Sequence, residues 1–133
     1  MAANKKLLAI VELGGYPNFS GLYESCGYQV TMAHAMRKAM AIVRKEKPDI
    51  IVAEFNYQSD FRDRTSTLES LLATVERLQQ SHSRTIRVIV FYEKEYQHQL
   101  EKLQAMFKNF DAISYPVQDE ELKQYLISSS PLN

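Results

Sequence analysis

The stretch "KPDIIVAEFN", residues 47–56, decides the fold. Its apolar residues Ile50, Ile51, Val52 and Ala53 run without interruption to a carboxylate, Glu54. An apolar run with no polar alternation is what a strand covered on both faces needs. Pro48 ends whatever helix precedes it, because the residue before a proline is pushed out of helical geometry. The stretch therefore reads as helix end, turn, buried strand, with a charged side chain at the strand tip.

Similar runs lie on either side, at residues 7–13 ("LLAIVEL"), 29–33, 86–92 ("IRVIVFY") and 112–115. Helical periods fill the intervals. Met36, Ala39, Met40 and Val43 recur at i, i+3, i+4 and i+7, and Leu68, Leu71, Leu72, Val75 and Leu78 repeat the pattern. Tyr96, Leu100, Leu103, Phe107 and Phe110 make a third stripe, and Leu122, Tyr125 and Leu126 a short fourth. Residues 18–26 give a weaker helix, with Gly21 inside it and Gly27 closing it. Ser66-Thr67-Leu68-Glu69 has capping-box spacing, so a helix is expected to start near Ser66. Asp119, Glu120 and Glu121 suit the positive end of a last helix. Met32, Met36 and Met40 recur every fourth residue, which is core spacing.

The order is strand then helix, five times. Right-handed crossovers place helices on both faces of a parallel sheet, so the expected fold is α/β, a doubly wound five-stranded three-layer sandwich of flavodoxin-like type. Residues 1–127 read as one domain and 128–133 as a fraying tail.

Composition narrows the functions. The 133 residues carry 16 Lys+Arg and 16 Asp+Glu, so no charge excess points to nucleic acid or to an acidic membrane surface. Cys26 is the single cysteine, which suits a reducing cytosol. The apolar run after Lys5-Lys6 meets Glu12 too soon for a secretory signal, and no run approaches spanning length. A cytoplasmic protein with no membrane or nucleic-acid partner is expected.

In a doubly wound sheet, ligand chemistry sits beyond the carboxyl ends of the strands. Glu12, Glu54, Tyr92 and Tyr115 stand at such ends. His34, His82 and His98 show no metal-ligand spacing. Gly14-Gly15 lacks the rest of a phosphate-binding glycine motif and reads as a turn. Ser20, Ser25 and Ser114 lie in no nucleophile elbow, and Cys26 reads as a small hydrophobe. No catalytic constellation emerges, so an enzyme is not expected. Glu12 and Glu54 are the only candidate cation ligands, both weak, and no cofactor is expected.

With these elements in place, the chain resembles the receiver domain of two-component response regulators. The resemblance is carried by "YQVTMAHAMRKAMAIVRKEKPDIIVAEF", residues 28–55, and by "IRVIVFY" and "DAISYPV" with Pro116. In element order it covers nearly the whole chain. It implies that Glu54 stands where the family's phospho-acceptor aspartate does. It implies too that Glu12-Leu13 replaces an acidic pair that holds Mg²⁺. Tyr92 then replaces a Thr or Ser that binds the phosphoryl oxygen, Tyr115 a lysine just before Pro116, and Ala112 a switch aromatic. Phosphoryl transfer needs a metal, a cation on the phosphate and a nucleophile at fixed reach. Each of these positions departs from the pattern, so the resemblance implies a degenerate, pseudo-receiver member. Glu54 as a mimic of the phosphorylated state is the lesser reading, because the residues that would read the charge are missing. The favoured reading is a strand-tip carboxylate that is solvated or satisfied locally. Tyr92 and Tyr115 are expected to fill the vacated pocket together.

The segment 55–66, "FNYQSDFRDRTS", is long for a strand-to-helix connection, where about two to six residues are usual. Its Tyr57, Phe61, Arg62 and Arg64 are residue types that anchor interfaces, which makes it a candidate partner-binding loop. The resemblance also implies a signalling face on the fourth helix, fifth strand and fifth helix, with Tyr96, Gln99, Lys102 and Tyr125, suited to a homodimer or a partner. The expected function is a stand-alone, phosphorylation-independent protein–protein interaction module in bacterial-type signalling, its protein partner unidentified. The alternative is a small-ligand or nucleotide sensor using Gly14-Gly15 and the long loop.

Overall fold

The structure, a computed structural model, describes residues 5–11, 19–55, 66–82, 85–107 and 110–127. Strands β1 (Lys5–Ile10), β2 (Tyr28–Ala33), β3 (Ile50–Glu54), β4 (Arg87–Tyr92) and β5 (Phe110–Ser114) alternate with five helices. These are α1 (Ser20–Ser25), α2 (Met36–Glu46), α3 (Ser66–His82), α4 (Gln97–Met106) and α5 (Asp119–Ile127), with one 3₁₀ turn, Lys94–Tyr96, ahead of α4. The strands form one parallel sheet in the order β2-β1-β3-β4-β5. The strand order reverses between β1 and β3, and in open α/β sheets ligands bind outside the carboxyl ends of the strands at such a reversal.

The continuous apolar runs became the inner strands. All of β3 is buried, and so are the last four residues of β1 and Val88–Phe91 within β4. Strand alternation divides each between two cores. Leu8, Ile10, Ile51, Ala53, Val88 and Val90 face α2, α3 and α4. Leu7, Ala9, Ile50, Val52, Ile89 and Phe91 face α1 and α5.

Local chemistry sets the boundaries. Gly27, at φ 92°, takes the left-handed turn that ends α1. Lys47 caps α2 in left-handed geometry, at φ 49°, directly before Pro48. Asp49 fastens three strands at their amino ends. Its N–H donates to the Lys6 carbonyl at 2.9 Å and its carboxylate accepts from the Lys6 N–H at 2.8 Å. Its own carbonyl accepts from the Arg87 N–H at 3.0 Å. The acidic first turn of α5 stands at the positive end of that helix dipole.

The far end of α5 is tied down from below. Arg87 donates to the Tyr125 carbonyl at 2.7 Å and to the Asp111 carboxylate at 2.9 Å. The buried Tyr28 hydroxyl donates to the Leu126 carbonyl at 3.1 Å.

Three sequence expectations change. Phe110 does not belong to the α4 stripe; α4 stops at Met106, Phe107 is its extended cap, and Phe110 opens β5. Met32 is not core: it lies on the edge strand β2, 40% exposed, while Met36 is buried on α2. The described first strand is Lys5–Ile10, with Val11 already outside it and residues 12 and 13 outside the described residues, and the last starts two residues early, at Phe110.

Candidate functional site

The carboxyl end of β3 carries Glu54. It is 5% exposed, so of the two states expected for this carboxylate, solvated or satisfied locally, burial excludes the first. Strand alternation sends it to the side of Ile50 and Val52, the α1–α5 core. Its register partner on β4 is Phe91, and the next residue, Phe55, donates its N–H to the Phe91 carbonyl at 2.8 Å.

Phe91 is the centre of an aromatic group under this strand tip. Its ring meets Phe19 edge-on at 6.0 Å, and Phe19 meets Tyr23 at 6.4 Å. On the other side Phe91 meets Tyr115, also edge-on, at 6.0 Å. Such edge-to-face pairs each contribute about 0.5–1.5 kcal/mol beyond the area they bury. Phe19 and Tyr23 reach the group because they sit four residues apart at the start of α1.

Tyr115 follows β5 directly, and its N–H donates to the Tyr92 carbonyl at 2.9 Å. Burial pushes its phenol well above the ordinary range, and the nearby charges of Glu54 and Glu93, together with Tyr23, push it further. The Tyr23 phenol is raised in the same direction by burial alone. Both phenols therefore stay protonated and neutral around pH 7. They offer an O–H donor, not the permanent positive charge that a lysine would bring.

Tyr92 and Tyr115 do not fill one pocket together, although their backbones are bonded. Tyr92 packs against the α2–α3–α4 core and Tyr115 against the α1–α5 core. The pleat explains this: Tyr92 continues the Val88, Val90 side, and Tyr115 the side of Ile113. Pro116 is exposed, and the Tyr115–Pro116 bond is cis. Ala112 is half-buried on β5.

Several candidates fall outside the described residues: Glu12 and Leu13, Gly14 and Gly15, and Tyr57, Phe61, Arg62 and Arg64. His34 and His98 are exposed, and Cys26 is half-buried against the α1–α5 core. Among the described residues no group of three or more His, Cys, Asp or Glu side chains is placed to hold a metal ion. No helix among them is long and apolar enough to cross a membrane.

Sequence reasoning missed Phe91, Phe19 and Tyr23. The signal for Phe91 was available. Aligning the apolar runs of β3 and β4 in parallel sets Phe91 beside Glu54.

No protein-family model matches the sequence, and none of the curated proteins is similar to it. Solved structures are. The chemotaxis protein CheY4 of Vibrio cholerae superposes with a TM-score of 0.69 at 21% identity, over 94% of this chain and 98% of that one. A response regulator from Thermotoga maritima gives 0.61 at 19% identity, over 95% and 99%. A structure of streptococcal redox sensors, described as evolved from two-component response regulators, gives 0.63 at 18% identity, over 92% of this chain and 49% of that one. The chain thus has the fold of response-regulator receiver domains. At the carboxyl ends of β3, β4 and β5 it carries a buried glutamate, an aromatic group and a neutral phenol.

Proposed function

We propose that the chain is a receiver-fold module that works through protein–protein contacts without accepting a phosphoryl group. The observation that carries this reading is the burial of Glu54 beside the Phe91–Tyr115 aromatic pair. An aspartyl-phosphate-like group brings about −1.5 to −2 charge near neutral pH and needs cations and donors around it. Tyr115 supplies a neutral phenol in the lysine position, and Tyr92 turns to the opposite face of the sheet. Glu54 carries one more methylene than aspartate, and a metal-assisted in-line transfer tolerates little displacement of its carboxylate.

The contact face is α4, β5 and α5. β5 is an edge strand, and it leaves Phe110, Asp111, Ala112 and Ser114 half-exposed. Tyr96, Gln99 and Tyr125 are half-buried there, Lys102 is exposed, and Met106 and Ile127 are exposed apolar residues. This face suits a second copy or a signalling protein. That receiver-like chains can take other inputs is supported by the streptococcal redox sensors with this fold.

The test is incubation of the full chain with Mg²⁺ and acetyl phosphate, followed by intact-mass measurement. The reading expects no phosphoryl adduct and an unchanged sedimentation coefficient. An adduct mapped to Glu54 would overturn it.

A further inference from the structure

A separate feature lies on the opposite face from Glu54. Between the first turn of α3 and the middle of α4 is a cavity of about 310 Å³. That is the lower end of the range for small-molecule sites, about 300–1,000 Å³, and suits a ligand of amino-acid size.

Its walls divide by chemistry. Phe55, Leu68 and Leu103, all buried, and the thioether of Met106 make an apolar floor and side. Aromatic rings pack well against both a phenylalanine and a methionine sulfur. At the rim stand two opposite charges on opposite helices, Glu69 on α3 and Lys102 on α4. Neither forms an ion pair with another described residue. Gln99 also lines the cavity, and its Oε1 is buried with no hydrogen-bond partner. A buried acceptor left in that state is costly, and most native structures avoid it.

We infer that this α3–α4 cavity binds a free aromatic amino acid. The ammonium group meets Glu69 and the carboxylate meets Lys102, so the ligand's two charges match the rim. The ring enters the apolar floor. An internal aromatic residue of a partner protein brings its ring but has its α-amino and α-carboxyl groups tied up in peptide bonds, and the paired charges therefore favour the free amino acid. The inference does not depend on Glu54, but Gln99, Lys102 and Met106 also belong to the proposed contact face, so a partner covering them would compete with the ligand.

The experiment titrates the full chain with L-tryptophan. The chain contains no Trp, so the indole fluorescence reports on the ligand alone. Amide shifts locate the site. Three analogues run in parallel: tryptamine, which lacks the carboxylate, indole-3-propionate, which lacks the ammonium, and N-acetyl-tryptophanamide, which lacks both charges. Saturable shifts are expected at Leu68, Gln99 and Leu103. Loss of either charged end is expected to weaken binding about fivefold, the scale of an exposed ion pair. Lys102→Met should remove the advantage over tryptamine, and Glu69→Gln the advantage over indole-3-propionate. Both substitutions are at the rim, and circular dichroism checks that the fold is kept. Three outcomes would overturn the inference: no saturable shift in the cavity, equal binding of all four compounds, or ligand-independent shifts that grow with protein concentration. The second would mark a crevice for any ring, peptide-borne ones included, and the third a seat for another copy of the chain.

Discussion

Tyr115 meets Phe91 edge-on, with ring centroids 6.0 Å apart and planes 66° from parallel, and Phe91 is the register partner of Glu54. Glu54 and Phe91 lie on adjacent strands and Tyr115 directly follows the next, so the contact joins the carboxyl ends of β3, β4 and β5. A buried carboxylate, a buried ring and a half-buried phenol thus meet along the carboxyl ends of these strands.

Phe91 is completely buried and touches rings on both sides. Phe91→Ala is expected to cost about 3–5 kcal/mol in urea unfolding, the range for removing a core phenylalanine. Phe91→Leu should cost less. A loss below about 1 kcal/mol would mean that the aromatic group is not a fixed core element.

The phenols make a pH prediction. Tyr23 and Tyr115 have folded-state pKa values raised above the ordinary 10.0. Their burial as neutral groups therefore contributes stability that is fully present below about pH 10. Above that, the unfolded chain releases phenolic protons first, so stability falls as pH rises toward the folded pKa. Urea midpoints from about pH 8 to about pH 11 should show the fall. Tyr23→Phe and Tyr115→Phe should each flatten it. An unchanged slope in both variants would contradict the burial of these hydroxyls.

Arg87 spans two acceptors, the Tyr125 carbonyl and the Asp111 carboxylate. Both ends of its ion pair keep some solvent contact, so its strength is modest. Arg87→Met is expected to cost about 1–2 kcal/mol and to speed amide exchange in α5 more than elsewhere. Arg87→Lys should rescue little, since one ammonium cannot copy the two-pronged geometry. Uniform exchange across the sheet and α5 would argue against a specific tie.

Gly21 lies inside α1, where an added Cβ would meet nothing within 4 Å. Gly21→Ala should raise stability by about 0.5–1 kcal/mol, through helix propensity and a less flexible unfolded chain. A loss would mean that α1 needs the glycine's backbone freedom.

Much of this was legible in the sequence. The apolar runs of β1, β3 and β4 are long and uninterrupted, and Gly27 and Pro48 mark two helix ends, so element order and sheet type followed directly. The position of Glu54 at a strand tip was equally plain. Its depth was not, because an alternation gives a residue's side and says nothing of what covers it. Phe19 and Tyr23 cover that side from α1, a helix of six residues too short to show a period. Phe110 misled because its spacing from Phe107 fits a helix, while the chain has already left α4 at Met106. Tyr92 and Tyr115 were paired by their nearness along the sheet edge, and the pleat sends them to opposite faces. The α3–α4 cavity had no sequence signal, since Glu69, Gln99 and Lys102 are ordinary helix-surface residues until the two helices are set side by side.

The central claim is that Glu54 sits in a packed, non-phosphorylating site. Its most direct test is an amide chemical-shift titration with Mg²⁺, then with Mg²⁺ plus beryllofluoride as a phosphoryl mimic. The account predicts no saturable change at Glu54, Phe91, Tyr92 or Tyr115. Saturable shifts clustered at those four strand-end residues would contradict it and would establish a working metal or phosphoryl site at the tip of β3.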